Sequence, residues 1–309
     1  MADPQTIEGL LEGAFDTHVH TAPDVLPRRL DDLELAQRFR TRRMGGFVLK
    51  SHYICTADRA TLVRRVVPEV QAFGAIALNN AVGGLNPLAL DIAGRLGARV
   101  AWLPSVDNAN ELESVAGQRD ESKMPYWMSI AREMRGLGIA GSWLNVTQDG
   151  RVTPATRQCL EIIAKHDMVL ATSHIRPSEM LPVVQAASEV GVQRIVITHP
   201  EFPTTLLSVE QQRELATYGA YFERCFTTPH SGKIDWDQVY RNIREVGPAS
   251  TIVATDLGQV NNPYPDEGLG QFISNLLDNG FSEAEVGRMV HDNPAELLGA
   301  AVGAVARSG

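Results

Sequence analysis

Cysteine is scarce in this sequence, and long apolar runs are absent. The three cysteines, Cys55, Cys159 and Cys225, are far apart and odd in number, which argues against a disulfide framework or a cysteine zinc site. No stretch approaches the roughly 20 apolar residues that a membrane helix requires. Residues 1–11 also lack the apolar core of a secretory signal. These absences predict a protein with reduced, buried thiols and a cytoplasmic location.

An excess of positive charge is also absent. The chain has 28 basic and 37 acidic residues and a net charge of −9, so binding to nucleic acid or to an anionic membrane is not expected as its main role. No linker rich in proline, glycine or serine divides the 309 residues. We therefore expect residues 1–309 to form a single domain whose partner is a small-molecule substrate.

The sequence does contain a repeated alternation of short apolar runs with longer segments of helical periodicity. This alternation is typical of βα units that build a parallel sheet, and eight units predict a (β/α)8 TIM barrel of the α/β class. We interpret residues 106–151 as an insertion between strands four and five that contains a helix and a hairpin. The predicted strands are residues 14–18, 46–50, 74–78, 99–103, 168–172, 194–198, 219–223 and 251–255.

Side chains that can bind a metal follow several of the predicted strands. His18 and His20 end the first strand, and because side chains alternate along a strand, both project to the same face. His174, His199 and Asp256 follow strands five, six and eight, and all these strand ends meet at one face of such a barrel. Imidazoles and a carboxylate suit Zn²⁺, with Mn²⁺ and Fe²⁺ as alternatives, so the set predicts a divalent metal site.

Lys50 and His52 follow the second strand, and each has more than one possible role. Lys50 could be carboxylated and bridge two metal ions, or it could remain an ammonium that binds a substrate carboxylate, which we favour. A simple ion pair with Asp256 or Asp16 is a third interpretation. His52 could be a metal ligand, a substrate contact or a structural histidine. We name both as candidate catalytic residues together with Asp256, which could take a proton from water and pass it to the leaving group.

Three arginines are candidates for binding a substrate carboxylate through a bidentate contact. Arg28 and Arg29 lie in the loop after strand one, and Arg176 follows strand five. Each could equally be an ordinary surface arginine. Glu223 and Arg224, at the end of predicted strand seven, have the same two interpretations.

As a set, these residues resemble the amidohydrolase superfamily of metal-dependent hydrolases. Residues 293–299 also resemble the closing helix of that group. More closely, the chain resembles an uncharacterised branch of these barrels, known only as a domain of unknown function, through residues 50–52 and the glycine- and asparagine-rich loop 78–87. The superfamily's order of metal ligands is matched by His18, His20, His174, His199 and Asp256.

The resemblance implies a hydrolase that acts on a small-molecule amide, lactone or cyclic imide through a metal-activated water, and it implies a homo-oligomer. Binuclear members commonly have a carboxylated lysine or a glutamate on strand three or four, but residues 100–104 contain neither. One ion is therefore slightly favoured over two. The alternative is a zinc-dependent decarboxylase of an aromatic or enol acid. A third hypothesis, a non-catalytic binding barrel, is disfavoured by the presence of Asp256.

Overall fold

The computed structural model describes residues 2–115, 126–139 and 141–301. Its main feature is a sheet of eight parallel strands, paired with their neighbours in chain order, while β5 and β6 form a separate antiparallel hairpin. The strands are β1 (Phe15–Val19), β2 (Gly46–Leu49), β3 (Gln71–Ala77), β4 (Ala98–Trp102), β5 (Thr147–Gln148), β6 (Arg151–Val152), β7 (Val169–Ala171), β8 (Arg194–Thr198), β9 (Tyr221–Cys225) and β10 (Thr251–Ala254).

Backbone hydrogen bonds connect the first and last strands of this sheet. The N–H of Asp256 donates to the carbonyl of His18, and the N–H of His20 donates to the carbonyl of Leu257, each at 2.8 Å. The sheet thus curls round to form a barrel, and the predicted (β/α)8 architecture is confirmed.

Helices alternate with the barrel strands. The element α2 shows how the local sequence starts a helix, because Asp31 and Glu34 form a capping box at its first turn. Among the described residues, no helix is both long and apolar enough to cross a membrane. The helices are α1 (Pro4–Leu11), α2 (Asp32–Thr41), α3 (Ala57–Val66), α4 (Pro87–Arg95), α5 (Ala109–Val115), α6 (Tyr126–Gly136), α7 (Pro154–Lys165), α8 (Pro177–Glu189), α9 (Val209–Ala216), α10 (Thr227–His230), α11 (Trp236–Val246), α12 (Pro265–Asp278), α13 (Glu283–Gly287) and α14 (Asn293–Leu298).

The described part of the section predicted as an insertion contains α5, α6 and the β5–β6 hairpin. Residues 116–125 and 140 of that section lie outside the described residues.

The strands are buried on both faces, which is why they read as continuous apolar runs in the sequence. Successive residues of β2 illustrate the arrangement. Leu49 packs outward in a cluster that includes Phe39 of α2, whereas Val48 packs with Trp102 and Ile252 in a separate inner cluster. Above this inner cluster, the carboxyl ends of the strands carry buried polar side chains.

Strand β9 begins and ends two residues later than the sequence pattern predicts. Gly219 has a φ of +75°, a left-handed conformation, and belongs to the turn that precedes the strand. Glu223 and Arg224 consequently lie within β9 instead of at its end, and they point in opposite directions. Arg224 donates to Gln212 of α9, while Glu223 contacts β1.

Candidate metal centre

Three side chains converge at the carboxyl end of the barrel. Nε2 of His18 and Nε2 of His20 each lie 3.2 Å from Oδ1 of Asp256. Both histidines are buried, and the aspartate side chain is 22% exposed. The potential ligand atoms of the three residues all lie within 4.8 Å of one another. Because β10 is the neighbour of β1, closure of the barrel brings these residues together, although most of the sequence separates His18 and His20 from Asp256.

The position of the proton on His18 follows from its other contact. Nδ1 lies 2.9 Å from Oε2 of Glu223, and a carboxylate accepts hydrogen bonds, so in a neutral imidazole Nδ1 carries the proton. The lone pair of Nε2 then faces the carboxylate oxygen of Asp256. Nζ of Lys50 lies 3.0 Å from the same Nε2. The ammonium of Lys50 can donate to this lone pair, and a divalent ion could take its place, because two imidazoles and a carboxylate are donors that suit such an ion.

Asp256 is held in position from both sides of its carboxylate. Its backbone has a φ of +53°, a strained conformation for a non-glycine residue that is typical of functional sites. Oδ2 accepts a hydrogen bond from Thr227 at 3.0 Å. Burial alone would raise the pKa of Asp256, but His18, His20 and Lys50 together hold it well below its usual range. Asp256 is therefore a carboxylate at neutral pH.

His174 and His199 lie beside this cluster. Their ring centroids are 4.8 Å apart, and the ring of His199 is 6.1 Å from that of His18. Nδ1 of His174 lies 2.8 Å from Oε1 of Glu111, which leaves Nε2 with a free lone pair when the ring is neutral. Burial holds the pKa of His199 well below its usual value, so that ring is neutral. The structure thus gathers all five predicted ligands at one face, but of these five described residues only His18, His20 and Asp256 form a group whose potential ligand atoms lie within 4.8 Å of one another.

Lys50 is part of the cluster, and His52 lies at its edge. Lys50 is 2% exposed, and burial lowers the pKa of its amine. The ring of His52 stacks on that of His20 with centroids 4.9 Å apart, and its Nδ1 lies 2.9 Å from Oγ of Ser105. Burial also holds the pKa of His52 well below its usual value, so this imidazole is neutral as well.

The three predicted substrate arginines occupy different places. Nη2 of Arg28 lies 2.7 Å from Oδ2 of Asp24 and 3.4 Å from Nδ1 of His20, so this arginine borders the cluster. Arg29 donates to a backbone carbonyl in the loop after β10, and Arg176 pairs with a glutamate of α5. Only Arg28 of the three is brought against the predicted ligands.

Two partners of the histidines are not identifiable from sequence patterns. Glu223 was assigned only as a possible substrate contact, and the register of β9 instead directs it to His18. Glu111 lies on α5, within the section interpreted as an insertion, and 63 residues separate it from His174. No local signal in the sequence pairs these residues.

Comparison with known proteins relates this geometry to other barrels. The model of a family described as "Family of unknown function (DUF6282)" matches residues 13–223. No curated protein matches the sequence.

Similar solved structures have very different sequences. An amidohydrolase from Pseudomonas aeruginosa superposes with a TM-score of 0.63 at 10% identity, covering 96% of this chain and 98% of that one. The probable dipeptidase PvdM from the same organism gives 0.58 at 12% identity, with the same coverage. A 2,6-dihydroxybenzoate decarboxylase from Rhizobium gives 0.52 at 12% identity, covering 93% of this chain and 99% of that one. These likenesses show a shared fold, and the family match confirms the resemblance to a domain of unknown function noted in the sequence.

Proposed function

This chain belongs to the family of unknown function DUF6282, and we propose that it is a metal-dependent hydrolase of a small-molecule amide, lactone or cyclic imide. The observation that carries the proposal is the convergence of Nε2 of His18 and Nε2 of His20 on Oδ1 of Asp256, each at 3.2 Å. His174 and His199 complete the proposed ligand set. Nitrogen and oxygen donors of this kind suit Zn²⁺, with Mn²⁺ and Fe²⁺ as alternatives.

When bound, the ion would supply Lewis acidity, which lowers the pKa of water from about 15.7 toward 7 and polarises a carbonyl. The side chains around it have complementary tasks. Glu223 holds the proton of His18 on Nδ1 and so keeps the Nε2 lone pair available. Asp256 is ionised, so it can accept the proton of the attacking water and deliver it to the leaving group. Thr227 fixes the rotation of that carboxylate.

The cations near the cluster favour a substrate that carries a carboxylate. Lys50 is buried beside His18 and is the main candidate. Arg28 borders His20, but Asp24 already balances its charge. A buried cation gains most from an anionic partner that replaces its lost hydration. We propose that Lys50 acts as an ammonium and that the site holds one ion, because a second ion would require Lys50 to be carboxylated as a bridge.

Decarboxylation of an aromatic or enol acid is a second candidate. The same buried cations would hold a substrate carboxylate near the cluster, and the fold is shared with the Rhizobium decarboxylase. Isotope analysis separates the two reactions. Incorporation of ¹⁸O from labelled water into a newly formed carboxylate of the organic product assigns hydrolysis, whereas release of carbon dioxide with no new carboxylate in the organic product assigns decarboxylation.

Metal analysis of the purified protein by mass spectrometry tests the proposed centre. We expect stoichiometric transition metal in the wild type and its loss in the His18→Ala, His20→Ala double variant. His166→Ala is the matched control, because His166 does not belong to the cluster. It follows α7, and its Nε2 lies 2.7 Å from Oδ1 of Asp91 in α4. Wild-type protein without stoichiometric metal, or a double variant that retains it, would refute the proposal.

A substrate screen with Asp256→Asn then separates an enzyme from a binding barrel. An enzyme loses turnover of the substrate found in the screen, whereas a protein that only binds the compound shows no turnover in the wild type either.

A further inference from the structure

A chain of hydrogen bonds leads from Asn79 through Ser105 to His52, and the orientation of the Asn79 side-chain amide is fixed by its partners. Asn79 and Ser105 are fully buried. Oδ1 of Asn79 accepts from the backbone N–H of Ser105 at 2.8 Å and from that of Asp107 at 3.3 Å. Backbone N–H groups only donate, so these bonds identify the oxygen of the amide without ambiguity. Nδ2 of Asn79 is consequently the donor to Oγ of Ser105 and to the carbonyl of His52, both at 2.9 Å.

The orientation of the Asn79 amide determines how Ser105 hydrogen-bonds to His52. Its Oγ already accepts from Asn79, and it lies 2.9 Å from Nδ1 of His52. The hydroxyl has one proton, and within the described part of the chain it has no other hydrogen-bond partner that could accept it. Oγ could also accept from Nδ1, but the hydroxyl proton would then have no acceptor among the described residues, so we assign that proton to the bond with Nδ1. Since Nδ1 accepts, the proton of the neutral imidazole lies on Nε2.

We propose that His52 donates a hydrogen bond from Nε2 to a substrate oxygen and is not a metal ligand. The role of the site as a metal-dependent enzyme is taken from the proposed function. A ligand nitrogen must present a lone pair, and the relay leaves the free edge of His52 with a proton instead. His20 is not fixed in this way, because the Arg28 nitrogen 3.4 Å from its Nδ1 bonds to Asp24 at 2.7 Å. Nε2 has no hydrogen-bond partner among the described residues, and stacking on His20 places the ring beside the cluster.

The chemistry of the acceptor follows from this donor. A carbonyl oxygen that gains negative charge during the reaction is stabilised by a preorganised N–H group. His52 would therefore bind the oxygen that becomes more negative. Asn79 and Ser105 act through His52 and are positioning residues.

Histidine NMR tests the tautomer directly. Protein labelled with ¹⁵N in histidine reports which ring nitrogen of His52 carries the proton, in the metal-free state and after loading with ¹¹³Cd²⁺. We expect Nε2–H in both states and no coupling between His52 and cadmium. A proton on Nδ1 in the wild type, or cadmium coupling to His52, would overturn the proposal.

Two substitutions test the relay, and a neighbouring residue supplies the control. In Asn79→Asp the carboxylate accepts the proton of Ser105, so Oγ must accept from His52 and the proton moves to Nδ1. Ser105→Ala removes the donor to Nδ1 and leaves a mixture of tautomers. Asn80→Asp adds the same charge one residue away, where the side chain contacts the carbonyl of Ser142, and should retain Nε2–H. Unchanged tautomers in a folded Ser105→Ala variant would show that the relay does not orient His52.

A binding measurement tests the donor role with acetohydroxamate, which combines a metal-binding group with a carbonyl oxygen. We expect the zinc-loaded His52→Phe variant to bind this probe about tenfold more weakly than the zinc-loaded wild type does. This is the effect expected for loss of one hydrogen bond to a charged acceptor. The zinc content should stay unchanged. Loss of zinc in His52→Phe would contradict the proposal, whereas absence of zinc from the wild type contradicts the proposed function and leaves the tautomer measurement valid.

Discussion

Replacement of Glu223 by glutamine tests whether a buried carboxylate orients the first proposed ligand. Oε2 of Glu223 lies 2.9 Å from Nδ1 of His18, and Oε1 accepts from Oγ1 of Thr17 at 2.6 Å. Glu223 is 1% exposed, so water does not replace a lost contact. Glutamine preserves the shape of the side chain, but it has one acceptor oxygen and no charge.

The size of the expected effect follows from these two bonds. If glutamine directs its oxygen to His18, the bond loses its charge assistance; if it directs its NH₂ group there, two donors face each other. Loss of an outer partner of a metal-binding histidine typically weakens metal affinity by about 10–100-fold. This range corresponds to about 1.4–2.8 kcal/mol, since each factor of ten is about 1.4 kcal/mol. Removal of a negative charge near a divalent ion also weakens the affinity of the site for the metal.

Competition with a chromophoric chelator at neutral pH measures this zinc affinity. Thr17→Val is the matched control, because it removes the 2.6 Å bond to Glu223 and leaves the contact between Glu223 and His18 in place. Circular dichroism establishes that both variants are folded. A folded Glu223→Gln protein with an affinity within about twofold of the wild type would refute the positioning role, given the larger effect expected for such partners.

Three further predictions concern other parts of the molecule. Glu111→Gln should weaken zinc binding less than Glu223→Gln, because its partner His174 lies outside the close group of His18, His20 and Asp256; the same chelator assay measures this, and an equal or larger loss would contradict it. Burial raises the pKa of Cys159 to about 12, so a thiol reagent should label the partly exposed Cys55 first in native protein; peptide mass spectrometry follows the labelling, and equal rates would argue against the burial. Burial lowers the pKa of His291 below 6.5 in the folded state, so its favourable contribution to stability is present above about pH 6.5 and is lost at lower pH. The free energy of unfolding in urea should therefore fall more steeply from about pH 7 to pH 5 in the wild type than in His291→Gln, and parallel pH profiles would be inconsistent with the buried neutral histidine.

Much of the fold is predictable because its signal is local. Residues 194–198 are a strand in both the sequence pattern and the structure, and 99–103 differs from the observed Ala98–Trp102 by one residue. Strands buried on both faces produce short continuous apolar runs that are visible without any tertiary information. The boundary error at β9 arises because Gly219 and Ala220 continue the apolar run into a turn, which only the left-handed φ of Gly219 separates from the strand.

The candidate site is predictable to a different degree for each residue. Strand alternation predicts that His18 and His20 share a face. The recurrence of polar residues at strand ends predicts Asp256 as their partner. The tautomer of His52 was not predictable, because it depends on Asn79, which the sequence presents only as part of a loop rich in asparagine and glycine.

By itself, the sequence determined the eight-unit barrel, the order of the candidate metal ligands along it, and the face at which they meet. These properties depend on periodicity and spacing, which are local. Only the tertiary structure decided which side chains touch: Glu223 with His18, Glu111 with His174, and Lys50 with the nitrogen that faces Asp256. Such contacts depend on strand register and on closure of the barrel between β1 and β10, and these are set by packing across the whole molecule.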